Sequence, residues 1–248
     1  MNQQHQAEHL FYGSFAEEYH LLIRVCPPAA EMSRRVGEFV GHWHRPETQG
    51  PLALLELGSG TGITTNILLH NRPDAHILSV DNAPAMLSQA REHLAGPIAT
   101  GRLEFREIDA LGALQSLPAA SMDIVASAYT LHNFLCGYRH QVLAEILRVL
   151  KPGGLFVNGD RYALDDPAQH LGNIQEEIRG YFRVFLGEMN RPDLLEQWVT
   201  HILSDESEEH VMRFTPALDE MAALGFAQPD VPHRDGGNAL VTAVKPWR

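Results

Sequence analysis

The chain from residue 52 onward alternates between two hydrophobic patterns. Short apolar runs without polar alternation predict strands covered on both faces, and segments with apolar residues three and four apart predict helices. The predicted strands are LALLEL, HILSVD, RLEFREID, DIVASAY, GLFVNGD and NALVTAVKP, and the predicted helices between them are TTNILLHN, APAMLSQAREHL and RHQVLAEILRVL. Strands that alternate with helices in this way predict an α/β fold whose parallel sheet carries helices on both faces.

The regions that flank this alternation have helical patterns. FAEEYHLLIRV and AAEMSRRVGEFVGHW, separated by Pro27 and Pro28, predict an N-terminal helical cap. An aromatic and acidic stretch predicts a helical insertion after the fifth strand, and TPALDEMAALGF predicts a helix before the final strand. The expected organisation is a cap over 1–45, an α/β core over 46–160, a lid over 161–212, and a helix with strands that complete the core over 213–248.

Composition and charge narrow the possible partners. The 248 residues are 44% hydrophobic and 20% charged, which is typical of a globular protein in water. The formal net charge of −12 disfavours a broad nucleic-acid surface. No apolar run has the length of a membrane span, and MNQQHQAEH lacks the layout of a signal peptide. We expect a cytoplasmic protein with a small-molecule substrate and no membrane partner; the oligomeric state is not predicted.

Cysteine and histidine spacing gives no prediction of a metal site. Cys26 and Cys136 are the only cysteines and lie far apart in the chain, so burial is their expected role. His42 and His44 are the closest of the fourteen histidines, and no acidic or cysteine partner follows at ligand spacing. A polar linker is the expected role of this segment.

The stretch LLELGSGTG at 54–62 carries the clearest chemical signal. Three glycines within five residues, between a strand and a helix, let the backbone approach a ligand closely. Asp81 ends the next strand about 20 residues later, the distance expected for a carboxylate that binds ribose hydroxyls. Glu56 disfavours a pyrophosphate and attracts a cation, which indicates the ammonium or sulfonium of S-adenosylmethionine.

These residues resemble the class I S-adenosylmethionine-dependent methyltransferases over 52–160. The matches are ELGSGTG, VDNAPAML, EIDA and LKPGG, in the family's order. The resemblance implies a Rossmann-like, seven-stranded, mostly parallel sheet. It places the cofactor against Glu56, Gly58, Ser59, Gly60, Gly62, Asp81, Asn82, Met86, Asp109 and Ala110. Two local alternatives stay open, since Met86 also suits a helix core and Asp109 also suits a cap at the strand end.

In this family the acceptor side of the cleft is built from the N-terminal segment, the turn after the fourth strand and the segment after the fifth strand. The candidates there are Tyr12, Tyr19, Arg24, Tyr129, His132, Asn133, Arg161, Tyr162 and Tyr181. Tyr19 is expected to stabilise the sulfonium by cation–π attraction, and Arg24 to contact the cofactor. His132 is the candidate general base, Asn133 the orienting group, and Tyr181 a further catalytic candidate. The alternatives are a half-buried helix tyrosine for Tyr19 and helix capping for His132 and Asn133.

The overall layout is similar to the carboxy-S-adenosylmethionine synthases of this superfamily. Those enzymes use the cofactor as a substrate and hold a carboxylate with an arginine of the insertion; Arg191 lies near the matching place, and Arg24 matches an entry-helix arginine. The glycine loop and the LHN triplet at 131–133 differ from that branch. The leading prediction is in-line methyl transfer to a small molecule. The alternatives are an enzyme that carboxylates or cyclises S-adenosylmethionine itself, releasing methylthioadenosine in the second case, and a non-catalytic binder.

Overall fold

The computed structural model describes Arg24, residues 26–44 and residues 50–247. Its centre is one seven-stranded sheet with the strand order β3-β2-β1-β4-β5-β7-β6. The strands are β1 (Leu52–Leu57), β2 (Ala75–Asp81), β3 (Leu103–Glu107), β4 (Met122–Ala128), β5 (Leu150–Arg161), β6 (Ala227–Asp235) and β7 (Asn238–Val244). The first five strands pair in parallel, and β7 is antiparallel to both β5 and β6. The predicted α/β, Rossmann-like, mostly parallel sheet is confirmed.

Helices cover both faces of this sheet. They are α1 (Pro27–His42), α2 (Ile63–Asn71), α3 (Pro84–His93), α4 (Ala95–Ala99), α5 (Ala110–Ser116), α6 (Cys136–Val149), α7 (Pro167–Tyr181), α8 (Pro192–Asp205) and α9 (Phe214–Leu224). One apolar cluster joins the sheet to α1 and α2, and a second joins its other face to α5, α6 and α9. The prolines at 27 and 28 form the first turn of α1, where a missing backbone N–H is tolerated.

Burial along the strands depends on their place in the sheet. All seven residues of β4 are buried, as the absence of alternation predicts for a central strand. In β3, by contrast, Leu103 is buried while most of the following residues are partly or fully exposed. β3 lies at the edge of the sheet, so the prediction of cover on both faces holds for the centre and not for this edge.

The strand β6 has no counterpart among the predicted strands because its sequence, AQPDVPHRD, contains two prolines. Proline lacks the donor that a ladder needs, and it is confined to edge strands and bulges. β6 is the opposite edge strand, and its pairing with β7 shifts register between Ala227 and Asp230 and again between Asp230 and His233. Pro229 and Pro232 fall within these two shifts.

The predicted helical insertion follows β5. It consists of α7, a π-helical segment Phe182–Glu188 and α8. Its own apolar cluster is centred on Phe185, with Tyr181 and Trp198 packed edge-on to each other at 5.5 Å between ring centroids. Cys26 and Ala29 of the α1 region belong to the same cluster, which joins the insertion to the start of α1.

The chain reverses direction across the sheet between β1 and β4. It proceeds outward through β1, β2 and β3, and then returns to pair β4 with the other side of β1. In open α/β sheets the crevice outside the carboxyl ends of the strands at such a point is the usual ligand site. Within the part of the chain described, no helix combines the length and apolar character needed to cross a membrane.

Candidate functional site

The glycine loop between β1 and α2 forms one wall of a cleft at this edge of the sheet. Gly58 and Gly60 line the cleft and have positive φ angles of 74° and 52°. The backbone N–H groups of Gly58 and Ser59 donate to the carbonyl of Val80, which fixes the loop to the end of β2. A Cβ at Gly58 would overlap the side chain of Thr130. This glycine is therefore required by packing between two loops as well as by its φ angle.

Asp81, at the end of β2, lies in the cleft directly beside this loop. Its Oδ2 accepts a hydrogen bond from the Gly60 N–H at 2.7 Å, and its Oδ1 accepts one from the Ala83 N–H at 2.9 Å. Burial raises the pKa of Asp81, although these backbone donors act in the opposite direction. The backbone N–H of Asn82 acts on this carboxylate as well. Because a carboxylate has about four acceptor positions, some acceptor capacity remains for a hydroxyl group of a ligand.

The far end of the cleft brings together the other residues expected to contact the cofactor. Asn82, Met86, Asp109 and Ala110 all line it. Asp109 is also the N-cap of α5, since its side chain accepts from the Gly112 N–H at 2.9 Å, and it accepts from the Tyr138 hydroxyl at 2.8 Å. Asp109 thus caps α5 and also lines the cleft, while its contact with the cofactor stays a prediction. Tyr138, which is not among the predicted residues, also lines the cleft.

Glu56 lies beneath the glycine loop, outside the lining of the cleft. Its side chain is fully buried, and its Oε2 accepts hydrogen bonds from the hydroxyls of Thr65 and Ser79, each at 2.6 Å. Its Oε1 has no hydrogen-bond partner among the described residues. Burial raises the pKa of Glu56 from 4.5 to about 7, against the effect of the two hydroxyl donors. Its predicted contact with a cation stays a prediction.

Among the described residues, the side of the cleft expected to bind the acceptor is lined by α1 and the turn after β4. Tyr129, Thr130, Asn133 and Phe134 line it from the turn, and Ala29, Ala30 and Ser33 line it from α1. Tyr129 has a positive φ of 51°, and its hydroxyl donates a hydrogen bond to the Oδ1 of Asn238. Asn133 donates to the carbonyl of Tyr129 at 3.4 Å, while its buried Oδ1 has no partner among the described residues.

His132 points away from the cleft, although Asn133 beside it faces the cleft. The His132 Nδ1 lies 2.6 Å from Oδ1 of Asp160, and its Nε2 lies 3.9 Å from Oδ2 of Asp205. Burial alone lowers the pKa of His132, but the charge and hydrogen bond of Asp160 raise it above its ordinary value. The role of His132 as a general base stays a prediction, and His132 is not among the described residues that line the cleft.

Other predicted residues also lie outside the lining. The Tyr181 hydroxyl donates to Glu177 at 2.6 Å inside the insertion, and Asn158 donates to the Tyr162 hydroxyl at 2.9 Å. The remaining candidates are arginines paired with carboxylates: Arg24 with Glu188 at 2.8 Å, Arg161 with Glu177 and Glu206, and Arg191 with Asp193 at 2.7 Å. Tyr12 and Tyr19 lie outside the described residues. The roles predicted for all of these residues remain predictions.

The cleft fits a polar nucleoside ligand such as S-adenosylmethionine. It encloses about 1100 Å³, including space open to solvent. The Ser59 hydroxyl and the Asn133 carbonyl oxygen are buried in its lining without a hydrogen-bond partner among the described residues. Since buried polar atoms are normally bonded, these two atoms and the acceptor positions of Asp81 suit a ligand with several hydroxyl and amine groups.

Comparisons with known proteins find similarity to methyltransferases and related enzymes. A methyltransferase-domain family model matches residues 55–158. Carboxy-S-adenosyl-L-methionine synthase of Klebsiella pneumoniae subsp. pneumoniae is 24% identical over 210 residues, covering 83% of this chain and 81% of the relative. The Sodalis glossinidius synthase is 25% identical over the same length and coverage.

Solved structures share the fold at low sequence identity. An O-methyltransferase family protein from Burkholderia thailandensis is 17% identical with a TM-score of 0.65, covering 97% of this chain and 63% of its own. The CurJ carbon methyltransferase is 18% identical with a TM-score of 0.59, covering 91% and 57%. The chain thus spans about three fifths of the length of these two structures.

Residues 55–158 thus match a methyltransferase domain, and the sheet order and the cleft between β1 and β4 occur in the same part of the chain. The chain is similar to the class I S-adenosylmethionine-dependent methyltransferases, and this similarity supports a transferase that uses S-adenosylmethionine.

Proposed function

We propose that this protein methylates a small molecule held in the cleft by in-line transfer. The observation that carries the proposal is the continuity of the cleft: Asp81 and the glycine loop form one end, and Tyr129, Asn133 and Phe134 form the adjoining side. A single cleft with these two parts holds a cofactor and an acceptor in contact. Such alignment supplies most of the rate in a displacement between two bound molecules.

Different residues of the cleft bind different parts of the cofactor and the acceptor. Asp81 accepts hydrogen bonds from ribose hydroxyls, and Asp109 and Asn82 face the remainder of the nucleoside. S-adenosylmethionine supplies, when bound, a methyl group activated by a sulfonium. The Asn133 Oδ1 is placed to accept a hydrogen bond from the acceptor, because it is buried in the lining with no other partner among the described residues. Phe134 and the ring of Tyr129 exclude water on this side.

Proton transfer has few candidates within this cleft. Of the described lining residues, the ones with an ionisable side chain are Asp81, Asp109, Tyr129 and Tyr138. Burial raises the pKa of Tyr129 well above 10, so its hydroxyl keeps its proton. This favours an acceptor that is nucleophilic without assistance, such as an amine or a thiolate, over one that needs a strong general base.

A second candidate function is chemistry on S-adenosylmethionine itself, either carboxylation of its methyl group or intramolecular cyclisation with release of methylthioadenosine. It is favoured by the carboxy-S-adenosylmethionine synthases as relatives along 83% of the chain. It is also favoured by Ala29, which belongs both to the lining of the cleft and to the apolar cluster of the insertion. The insertion is therefore close enough to close over the cofactor alone.

The two functions are separated by incubating the purified protein with S-adenosylmethionine and no acceptor, and analysing the nucleosides by mass spectrometry. The first proposal expects no conversion, together with binding of S-adenosylhomocysteine in calorimetry. Methylthioadenosine, or a carboxylated cofactor when a carboxylate donor is added, would replace it with the second. Failure of both nucleosides to bind would refute both. Asp81→Ala is the control, because product that it forms at the wild-type rate does not come from this cleft.

A further inference from the structure

A second cluster of ligand-type side chains lies outside the cleft, between the insertion and the sheet. It consists of His132, His201 and Asp205, and one ligand atom from each lies within 4.8 Å of the others. His132 is in the turn after β4, whereas His201 and Asp205 are one helical turn apart on the same face of α8. We propose that these three residues bind one divalent transition-metal ion, and that Zn²⁺ is the ion they fit best.

The distances within the cluster suit an ion better than hydrogen bonds. The Asp205 Oδ2 lies 3.9 Å from the His132 Nε2 and 3.6 Å from the His201 Nε2. A hydrogen bond would need about 2.7 to 3.2 Å. Two ligand atoms on a tetrahedral zinc, each about 2.05 Å from the ion, are roughly 3.3 Å apart. The carboxylate would therefore approach the two imidazoles by roughly 0.3 to 0.6 Å on coordination, and the imidazole nitrogens, within 4.8 Å of each other, would also draw together.

Asp160 holds His132 in the orientation that a ligand needs. The Asp160 carboxylate is fully buried and lies 2.6 Å from the His132 Nδ1. It also accepts from the backbone N–H groups of Leu131 and Arg161 at 2.9 and 2.8 Å, which fixes its position. With the proton on Nδ1, the Nε2 lone pair faces Asp205. A carboxylate behind the imidazole in this way is the usual second partner of a metal-binding histidine.

The excess of negative charge around the cluster favours binding of a cation. Four buried or half-buried carboxylates of the described chain lie close to the Arg161 guanidinium and to His132: Asp160, Glu177, Asp205 and Glu206. Arg161 pairs with Glu177 at 3.1 Å and with Glu206 at 2.9 Å. The Asp205 side chain is only 7% exposed, and its Oδ2 forms long ion pairs with the Nε2 atoms of His132 at 3.9 Å and His201 at 3.6 Å. Buried charges are generally paired or bound to metal, and an ion between these three groups would give Asp205 a closer cationic partner than either imidazole.

The donor set selects the class of ion. Two imidazoles and one carboxylate suit zinc, with a fourth position open to water. The same set is found in non-haem Fe²⁺ sites, whereas Mg²⁺ prefers oxygen ligands throughout. An ion at this position would join α8 of the insertion to the turn that carries Asn133, so metal binding would fix the insertion against the acceptor side of the cleft.

The test uses the full chain, stripped with a chelator and titrated with Zn²⁺ in a calorimeter, with circular dichroism to confirm folding. We expect one Zn²⁺ per chain and a rise in Tm on binding. Asp205→Asn and His201→Gln should each weaken binding by more than roughly 100-fold, since loss of even a second-shell partner weakens metal sites by about 10- to 100-fold. Mg²⁺ should give no rise in Tm.

Two control variants separate this site from other zinc ligands. His140→Gln removes an exposed histidine that pairs with Glu220 elsewhere, and Cys136→Ser removes the exposed thiol. Both should bind Zn²⁺ as the wild type does. Absence of stoichiometric binding by the wild-type chain, equal binding by Asp205→Asn, or tighter binding of Fe²⁺ than of Zn²⁺ under anaerobic conditions would each overturn the proposal as stated. These readouts do not depend on methyl transfer, so they are independent of the proposed function.

Discussion

Glu56 beneath the glycine loop and Asp160 beneath the insertion are both fully buried carboxylates, but their surroundings differ. Glu56 is held by two hydroxyls, and one of its oxygens has no partner among the described residues; its pKa is raised to about 7 by burial. Asp160 has two backbone donors and an imidazole, and the Arg161 guanidinium lies in the same layer. With only two hydroxyl donors, the buried Glu56 carboxyl group takes up a proton near neutral pH, whereas the imidazole and the backbone N–H groups hold the Asp160 carboxylate in a fixed position.

The largest effect is expected from Arg161→Met. This change removes the guanidinium, itself largely buried, that pairs with the half-buried carboxylates of Glu177 and Glu206. Loss of one partner from a buried ion network destabilises proteins by about 3 to 5 kcal/mol. Urea denaturation at pH 7 should show this decrease in the free energy of unfolding.

Arg179→Met is the matched control for Arg161→Met. Arg179 pairs with Glu176 at 2.7 Å in the same insertion, but both side chains are largely exposed. Its removal should leave the unfolding midpoint close to that of the wild type, because exposed pairs contribute little. Equal effects of the two substitutions would show that burial of the Arg161 network adds nothing to stability.

The next largest effect is expected in the pH dependence of Glu56→Gln. Because the pKa of Glu56 is about 7 in the folded chain and near 4.5 when unfolded, its contribution to stability is complete below pH 4.5. It is lost as the pH rises through 7. The free energy of unfolding of the wild type should therefore decrease by about 3 kcal/mol between pH 4.5 and 8 because of Glu56. The variant should lack this decrease. Parallel stability curves for the two proteins would contradict the raised pKa.

A smaller effect is expected for the other carboxylate of the loop region, Asp81. Asp81→Ala removes the acceptor of the Gly60 and Ala83 N–H groups and the proposed partner of the ribose. Binding of S-adenosylhomocysteine should weaken by about 2 kcal/mol, or roughly 30-fold, since charge-assisted hydrogen bonds are lost. Calorimetry measures the change, and Asp219→Ala, on an exposed face of α9, provides the control. Unchanged affinity would show that the ribose does not bind to Asp81.

The smallest effect is expected for Ser79→Ala, which removes one of the two hydroxyl donors to Glu56. The expected decrease in unfolding free energy is about 1.5 kcal/mol at pH 8, where Glu56 is ionised, and less at pH 5. The same substitution in the Glu56→Gln background should have a weaker dependence on pH. Additive effects of the two changes at pH 8 would show that Ser79 does not stabilise the charged carboxylate.

The part of the site that could be predicted from sequence is local in the chain. The glycine loop, Asp81 and Asp109 each follow a strand whose apolar run is recognisable, and carboxyl ends of parallel strands meet at one edge. Tyr138 could not be predicted in this way, because its contact with Asp109 joins residues 29 positions apart through the packing of α6 on α5.

The insertion shows the limit of local patterns more clearly. Its helices were predicted from apolar spacing, but the rotation of α8 that brings His201 and Asp205 towards His132 depends on tertiary packing. Distance along the chain singles out only His42 and His44 among the histidines, so it gives no signal for a cluster that tertiary packing assembles. In the turn after β4, neighbouring positions have different surroundings. Asn133 lines the cleft, whereas His132, one position earlier, contacts Asp160 outside the lining.

The contact between Gly58 and Thr130 has a consequence for protein engineering. Because a Cβ at position 58 would overlap the threonine, the loops after β1 and β4 constrain each other's sequence although 72 residues separate them. A glycine loop transplanted from another protein would fit this chain only with a residue at position 130 of compatible shape. The two loops are therefore best exchanged together when hybrids of this protein are built.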